Sequence, residues 1–133
     1  MLVDDVDDNR FLLAKTLLRK FPQAVLLECR EAAPALAAVA REKPAAVIVH
    51  RALDLDGVSL IRAMRQQSTT VPIIMVSGRE SCPEAIEAGA HAFLNYDAWL
   101  RIGTVVDEVL SPQYIKPLTK TPFKKERDYL GMR

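Results

Sequence analysis

Four aspartates, Asp4, Asp5, Asp7 and Asp8, stand within the first eight residues. Adjacent carboxylates such as Asp4 and Asp5 point in different directions at the end of an extended segment. Such a pair can hold Mg²⁺ through one direct oxygen and one water-mediated contact. Asp7 and Asp8 have a plainer use, because a carboxylate at the start of the helix opened by Asn9-Arg10-Phe11 favours that helix's positive end. Further along, His50-Arg51-Ala52-Leu53-Asp54-Leu55-Asp56-Gly57 gathers an imidazole, a guanidinium and two carboxylates. An imidazole can accept a phosphoryl group or bind a metal. A lone histidine at a strand end is more often held by hydrogen bonds, and beside Asp4 and Asp5 an imidazolium would supply the charge of a cation. Arg51 is expected to neutralise the aspartates rather than to bind a free anion. His91 has no partner at metal-ligand spacing and reads as a surface residue. Cys29 and Cys82 show neither CxxC nor Cys/His spacing, so two buried or half-buried thiols are expected and no disulfide scaffold or zinc site.

The elements that must position these groups alternate along the chain. Leu2-Val3 is a stub of strand, and Ala24-Val25-Leu26-Leu27, Ala45-Ala46-Val47-Ile48-Val49, Val71-Pro72-Ile73-Ile74-Met75-Val76 and Ala92-Phe93-Leu94 follow as further strands. The third and fourth are continuously apolar, as expected of parallel strands covered on both faces. Between them lie apolar residues at helical spacing: Phe11, Leu12, Leu18 and Phe21, then Leu36, Val39 and Ala40, then Val58, Ile61 and Met64, with Arg65 next to the last. A fourth helix is expected to start near Pro83-Glu84 and to close at Gly89. A fifth is expected from about Asp97, its cap, through Trp99, Leu100, Ile102, Val105, Val106, Val109 and Leu110. Connections this short between strands call for crossover helices, hence a parallel sheet with helices on both faces and chemistry at the carboxyl ends of its strands.

Composition fits one such domain. The chain has 133 residues, half of them apolar and 26% charged, enough for one core and too few for two. No uncharged apolar run approaches the ~18 residues of a spanning helix, and the acidic start is unlike a signal peptide, so a cytoplasmic protein is expected. Residues 1–110 carry 12 Lys and Arg against 15 Asp and Glu, whereas residues 111–133 carry 6 against 2. That change coincides with Ser111-Pro112 and with Pro117 and Pro122, which sets the expected boundary of the folded domain near residue 110. Only three residues precede Asp4, which leaves the first strand short, as it would be if natural N-terminal residues lay before Met1.

Val3-Asp4-Asp5, Leu55-Asp56-Gly57 opening a helix, Ile74-Met75-Val76-Ser77-Gly78, and Glu87-Ala88-Gly89-Ala90 before Ala92-Phe93-Leu94 occur in this order around the apolar third strand. The sequence over residues 1–110 thereby resembles the receiver domains of two-component response regulators. The resemblance implies an α/β, flavodoxin-like three-layer sandwich with a five-stranded parallel sheet and five helices. It implies that Asp4 and Asp5 match the acidic pair that holds Mg²⁺. It also implies that Ser77 matches the hydroxyl that contacts the phosphoryl group, and Phe93 the aromatic whose rotamer couples to that hydroxyl.

Two positions depart from the family pattern. The phosphorylated aspartate falls at the strand end, here His50, and the loop from there to Asp56-Gly57 is one residue short and lacks its Pro. Asn95-Tyr96-Asp97 stands where the family has Lys-Pro, so Tyr96 replaces the lysine. Phosphoryl transfer needs an oxygen nucleophile, a divalent ion and a cation to offset charge on the equatorial oxygens. The expectation is therefore an atypical receiver with no catalytic activity, weak or vestigial Mg²⁺ binding at Asp4 and Asp5, and signalling by protein–protein contact in a phosphorelay. The partner would be a histidine kinase, an effector or another receiver, with a homodimer as one form. Tyr96, Trp99 and Arg101 lie on the face receivers commonly use, and Trp99 is expected to pack against the sheet. The alternatives are a phosphorylatable receiver using Asp54 or Asp56 and a small-ligand sensor using the modified cleft. Nucleic-acid binding by the basic, Pro-containing tail of residues 111–133 ranks last, since no recognition helix accompanies it. The tail's Tyr114, Ile115, Leu118, Phe123, Tyr129 and Leu130 are apolar anchors that suggest ordering against a partner or second subunit.

Overall fold

The computed structural model describes residues 1–52 and 56–111. Asp54 and the tail from residue 112 onward lie outside these. The chain runs β1 (Leu2–Val3), α1 (Asp7–Lys20), β2 (Glu28–Cys29), α2 (Ala32–Glu42), β3 (Val47–His50), α3 (Gly57–Gln67), β4 (Ile73–Ser77), α4 (Pro83–Ala88) and β5 (Ala92–Asn95), then a 3₁₀ turn at Tyr96–Arg101 and α5 (Ile102–Val109). The strands form one parallel sheet in the order β2-β1-β3-β4-β5. The order reverses between β1 and β3, so their carboxyl ends flank the place where such sheets carry their chemistry.

Side-chain alternation along the strands divides the core in two. Val3, Val47, Val49, Ile73 and Met75 face α2, α3 and α4, whose Ala35, Val39, Ile61, Met64, Ala85 and Ile86 close that layer. Leu2, Ile48, Ile74, Val76 and Leu94 face the other way, against Leu13 and Leu17 of α1 and Ile102, Val105, Val106 and Val109 of α5. The result is the expected three-layer α/β sandwich. Trp99, half-buried, packs on the α1–α5 side.

Several local expectations are corrected. The β2 ladder lies at Glu28–Cys29 rather than at residues 24–27, because β1 offers only Leu2 and Val3, which pair with Glu28 and Cys29. The buried face of α1 is Leu13, Thr16 and Leu17, whereas Phe11, Leu12 and Leu18 are exposed. This helix carries apolar residues on both sides, and packing against α5 decides which side is buried. Asp7 and Asp8 lie in its first turn, at the positive end as expected, but the capping position itself is Val6, without a side-chain cap bond, and Asp7 pairs with Arg10 and Arg30. Those guanidiniums hold the Asp7 carboxyl below its usual value. Before α5 the chain makes the 3₁₀ turn, broken at Ala98, and the Asn95 side chain rather than Asp97 caps it by accepting from the Asp97 N–H. Helix α4 starts at Pro83 and ends at Gly89 as expected, with Gly89 at φ 120° beside the Arg65 side chain.

His91, expected at the surface, is fully buried. The reason lies across the layer in α3, where Arg65 donates to the Gly89 and Ser68 carbonyls and its Nη2 lies 2.9 Å from His91 Nδ1. Burial, reinforced by the Arg65 charge, lowers the His91 pKa from 6.5 to about 3. The unfolded chain therefore binds a proton that the folded chain refuses, so stability present above pH 6.5 should be lost progressively toward pH 3. At pH 5 the loss from this residue should be about 2 kcal/mol. Thermal melts at pH 7.5 and pH 5 check it: a His91→Gln variant should lose less between the two pH values than the parent.

Candidate functional site

Parallel strands end together, and that common edge assembles the groups singled out from the sequence. Asp4 and Asp5 follow β1, His50 ends β3, Ser77 ends β4, Asn95 ends β5 and Tyr96 follows it. Asp4 is buried, at 2% exposure, and Asp5 is exposed. Asp4, Asp5 and His50 each present a ligand-type atom, all within 4.8 Å of one another.

The Asp4 carboxylate is already engaged by the protein. Its Oδ1 accepts the Val6 N–H at 2.9 Å, its Oδ2 accepts the Tyr96 hydroxyl, and its backbone carbonyl accepts Arg10 Nη1 at 2.6 Å. His50 Nδ1 stands 3.5 Å from Asp4 Oδ1 and, among the described residues, has no hydrogen-bond partner although the atom is buried. A protonated imidazole there forms an ion pair with Asp4. The His50 and Tyr96 rings meet edge to face, with centroids 5.3 Å apart. Burial, followed by the bond to Asp4 and the charges of Asp4 and Asp5, pushes the Tyr96 hydroxyl far up, so it is a neutral donor at every ordinary pH. Tyr96 thus brings a hydroxyl and no charge to Asp4.

These residues fit Mg²⁺ poorly. A hard cation wants several free oxygens in near-octahedral array. Here one Asp4 oxygen accepts a backbone N–H and the other a phenol, and the third group of the cluster offers an imidazole nitrogen in place of an oxygen.

On the far side of the edge Ser77 is buried, and its Oγ accepts from Arg51 Nε at 3.1 Å and from the Arg79 N–H at 3.1 Å. Arg51, expected to neutralise the aspartates, turns to this hydroxyl instead. It lines a polar cleft of about 310 Å³ with Asp56, Arg62, Arg79 and Glu84. Phe93 is half-buried against the α2–α4 side of the core. Sequence reading missed Arg10, which ties the Asp4 carbonyl to Asp7 and Glu28. It also missed Asn9, whose side chain works against the upward push on the Tyr96 hydroxyl. The Asp7–Arg10 pair has the i,i+3 helical spacing that could have signalled Arg10, whereas Glu28 and Tyr96 come from a separate strand and turn that no local pattern joins to Arg10 and Asn9.

The model of the response regulator receiver domain family matches residues 1–97. The chain belongs to that family, whose members are modules of two-component signalling that interact with kinases and effector domains. Its structure is similar to the receiver domain of NtrX from Brucella abortus, at 27% identity and a TM-score of 0.67 over 80% of this chain and 96% of that one. It is also similar to the signal receiver domain of NarL from Mycobacterium tuberculosis, at 20% identity and TM-score 0.75 over 84% and 94%. A CheY-like receiver domain protein from Methanospirillum hungatei shares 22% identity at TM-score 0.65 over 80% and 91%. The last two likenesses speak for the fold alone. A comparison with curated proteins gives no match. Among the described residues no helix is long and apolar enough to cross a membrane.

Proposed function

We propose that this receiver domain, spanning residues 1–110, works by protein–protein contact in a phosphorelay without aspartyl phosphorylation. The observation that supports this most is the Tyr96 hydroxyl on Asp4, with His50 at the neighbouring strand end. Each of the three requirements of phosphoryl transfer meets an obstacle. The nucleophile's position holds an imidazole, the metal-binding carboxylate is engaged by protein donors, and a neutral phenol replaces the cation that would offset charge on the transferred group. Ser77 and Phe93, the switch positions by resemblance, then serve a cleft whose state is set by Arg51 and by whatever the domain binds. Any Mg²⁺ binding at Asp4 and Asp5 is weak. The domain acts as a signalling module rather than a catalyst, and its contact face includes Leu100, 63% exposed, beside Trp99 and Arg101. A kinase, an effector or another receiver would meet it there.

Incubation with acetyl phosphate and Mg²⁺ followed by intact mass measurement tests the reading. No one-phosphoryl mass increase is expected. Stoichiometric labelling would sink the proposal, and loss of that label in Asp54→Asn would assign the acceptor to Asp54 and favour a phosphorylatable receiver.

A further inference from the structure

At the opposite end of the sheet from the acidic edge, a groove of about 730 Å³ opens between residues 24–27 and residues 44–46. Its lining is largely apolar and includes Leu17, Phe21, Leu27, Ile48, Val106 and Leu110. Val25, on its rim, is 86% exposed, the most exposed large apolar side chain among the described residues. An apolar hollow of this size beside an uncovered valine loses the area-dependent gain of burial unless something fills it. Val25 and Leu26 belong to the run that sequence reading gave to β2, yet the ladder with β1 takes up only at Glu28. The stretch is thus left with an apolar composition suited to a covered strand, and among the described residues it meets β1 only at its end, where the Leu27 carbonyl accepts the Leu2 N–H.

We propose that the chain's own C-terminal segment is seated in this groove, with Tyr114, Ile115 and Leu118 filling it. The point of departure favours it: Val106 and Leu110, the end of α5 and the residue after it, already line the groove, so the chain leaves the described domain at its mouth. Tyr114 is four residues beyond Leu110 and Leu118 eight. At roughly 3.3–3.6 Å per extended residue, all three anchors can turn back into a groove that begins at Leu110. Charge favours the same occupant, since residues 111–133 carry 6 Lys and Arg against 2 Asp and Glu while residues 1–110 carry 12 against 15. A linker with no seat would have no need of Tyr114, Ile115 and Leu118 so close together. The inference is independent of how the acidic edge functions.

Amide hydrogen exchange on the full chain reads the seat directly. Residues 22–27 should exchange roughly tenfold more slowly in the parent than in an Ile115→Asp/Leu118→Asp variant of the same length. Val25→Asp, made from the groove side at an exposed position, should release the tail to the same degree, read as faster exchange at residues 113–118. Both variants should keep the parent's far-ultraviolet circular dichroism, because neither position lies in the described core. Equal exchange at residues 22–27 in the parent and the tail variant would overturn the proposal. So would protection that appears only as rising concentration drives the chain into dimers by sedimentation, because the occupant would then be the tail of a second copy.

Discussion

Replacing His50 by Asp and Tyr96 by Lys together should raise the affinity for Mg²⁺ by at least about tenfold, a change of about 1.4 kcal/mol, while phosphoryl transfer stays slow or absent. Two things change at the metal position. Asp at residue 50 adds a hard oxygen where an imidazole now stands 3.5 Å from Asp4 Oδ1. Loss of the phenol frees Asp4 Oδ2 from its hydrogen bond. The transfer step needs more than ligands. In-line attack depends on backbone and side-chain donors placed to within about an ångström, and the resemblance to receivers implies a loop from residue 50 to Asp56 that is one residue short. Arg51 also sits on Ser77 Oγ, the hydroxyl that the resemblance implies would contact a phosphoryl group. Calorimetry, or titration of Trp99 fluorescence, gives the affinity, and acetyl phosphate labelling of the same variant gives the transfer. Unchanged Mg²⁺ affinity would mean that the engaged Asp4 oxygens are not what weakens binding in the parent. Full labelling of the double variant would mean that loop length and Arg51 do not limit the chemistry. The single variant Tyr96→Phe separates the contributions, since it frees Asp4 Oδ2 and adds no charge, and it should gain less than the pair.

How far the sequence foretold this site depends on the range of the interactions involved. The identity of the central strands followed from apolar runs such as residues 73–76, because a strand covered on both faces has no polar option at any position. The placement of Asp4, His50, Ser77 and Tyr96 at one edge followed in turn, since parallel strands end together. The β2 ladder was misplaced because pairing is decided by the partner strand, and the partner supplies two residues. The face of α1 was misjudged because Phe11 and Leu12 satisfy helical periodicity as well as Leu13 and Leu17 do. The role of His91 was hidden for a different reason. Its guanidinium neighbour comes from α3, 26 residues earlier, and no local pattern announces a contact made through three dimensions. Arg51 belongs with His91, for adjacency in sequence to His50 suggested the aspartates, whereas the strand geometry points its side chain across β4 to Ser77.

A single methyl group at the buried Gly57 should cost about 2–3 kcal/mol and lower the melting temperature by on the order of 10 °C. Gly57 begins α3 and donates its N–H to the Arg51 carbonyl at 2.8 Å, which pins the helix to the end of β3. A Cβ there would fall 2.5 Å from the His50 carbonyl oxygen, 2.9 Å from Arg51 Cα and 3.0 Å from the Arg51 carbonyl oxygen. All three are backbone atoms, so no side chain can swing aside, and relief must come from moving α3 or the end of β3. Moving β3 carries His50 away from Asp4, so Gly57→Ala should disturb the acidic edge as well as the stability. Gly78 provides the matched control. It too follows a strand at this edge, but a Cβ on it meets nothing within 4 Å, and Gly78→Ala should melt within about 0.5 kcal/mol of the parent. Paired thermal or urea unfolding of the two variants decides the matter, with the His50 imidazole resonances followed by NMR as the local probe. Equal stability of Gly57→Ala and Gly78→Ala would show that the pinch between α3 and β3 relaxes freely. A destabilised Gly57→Ala with unmoved His50 resonances would place the relief in the helix, leaving the strand end, and with it the Asp4 contact, where it was.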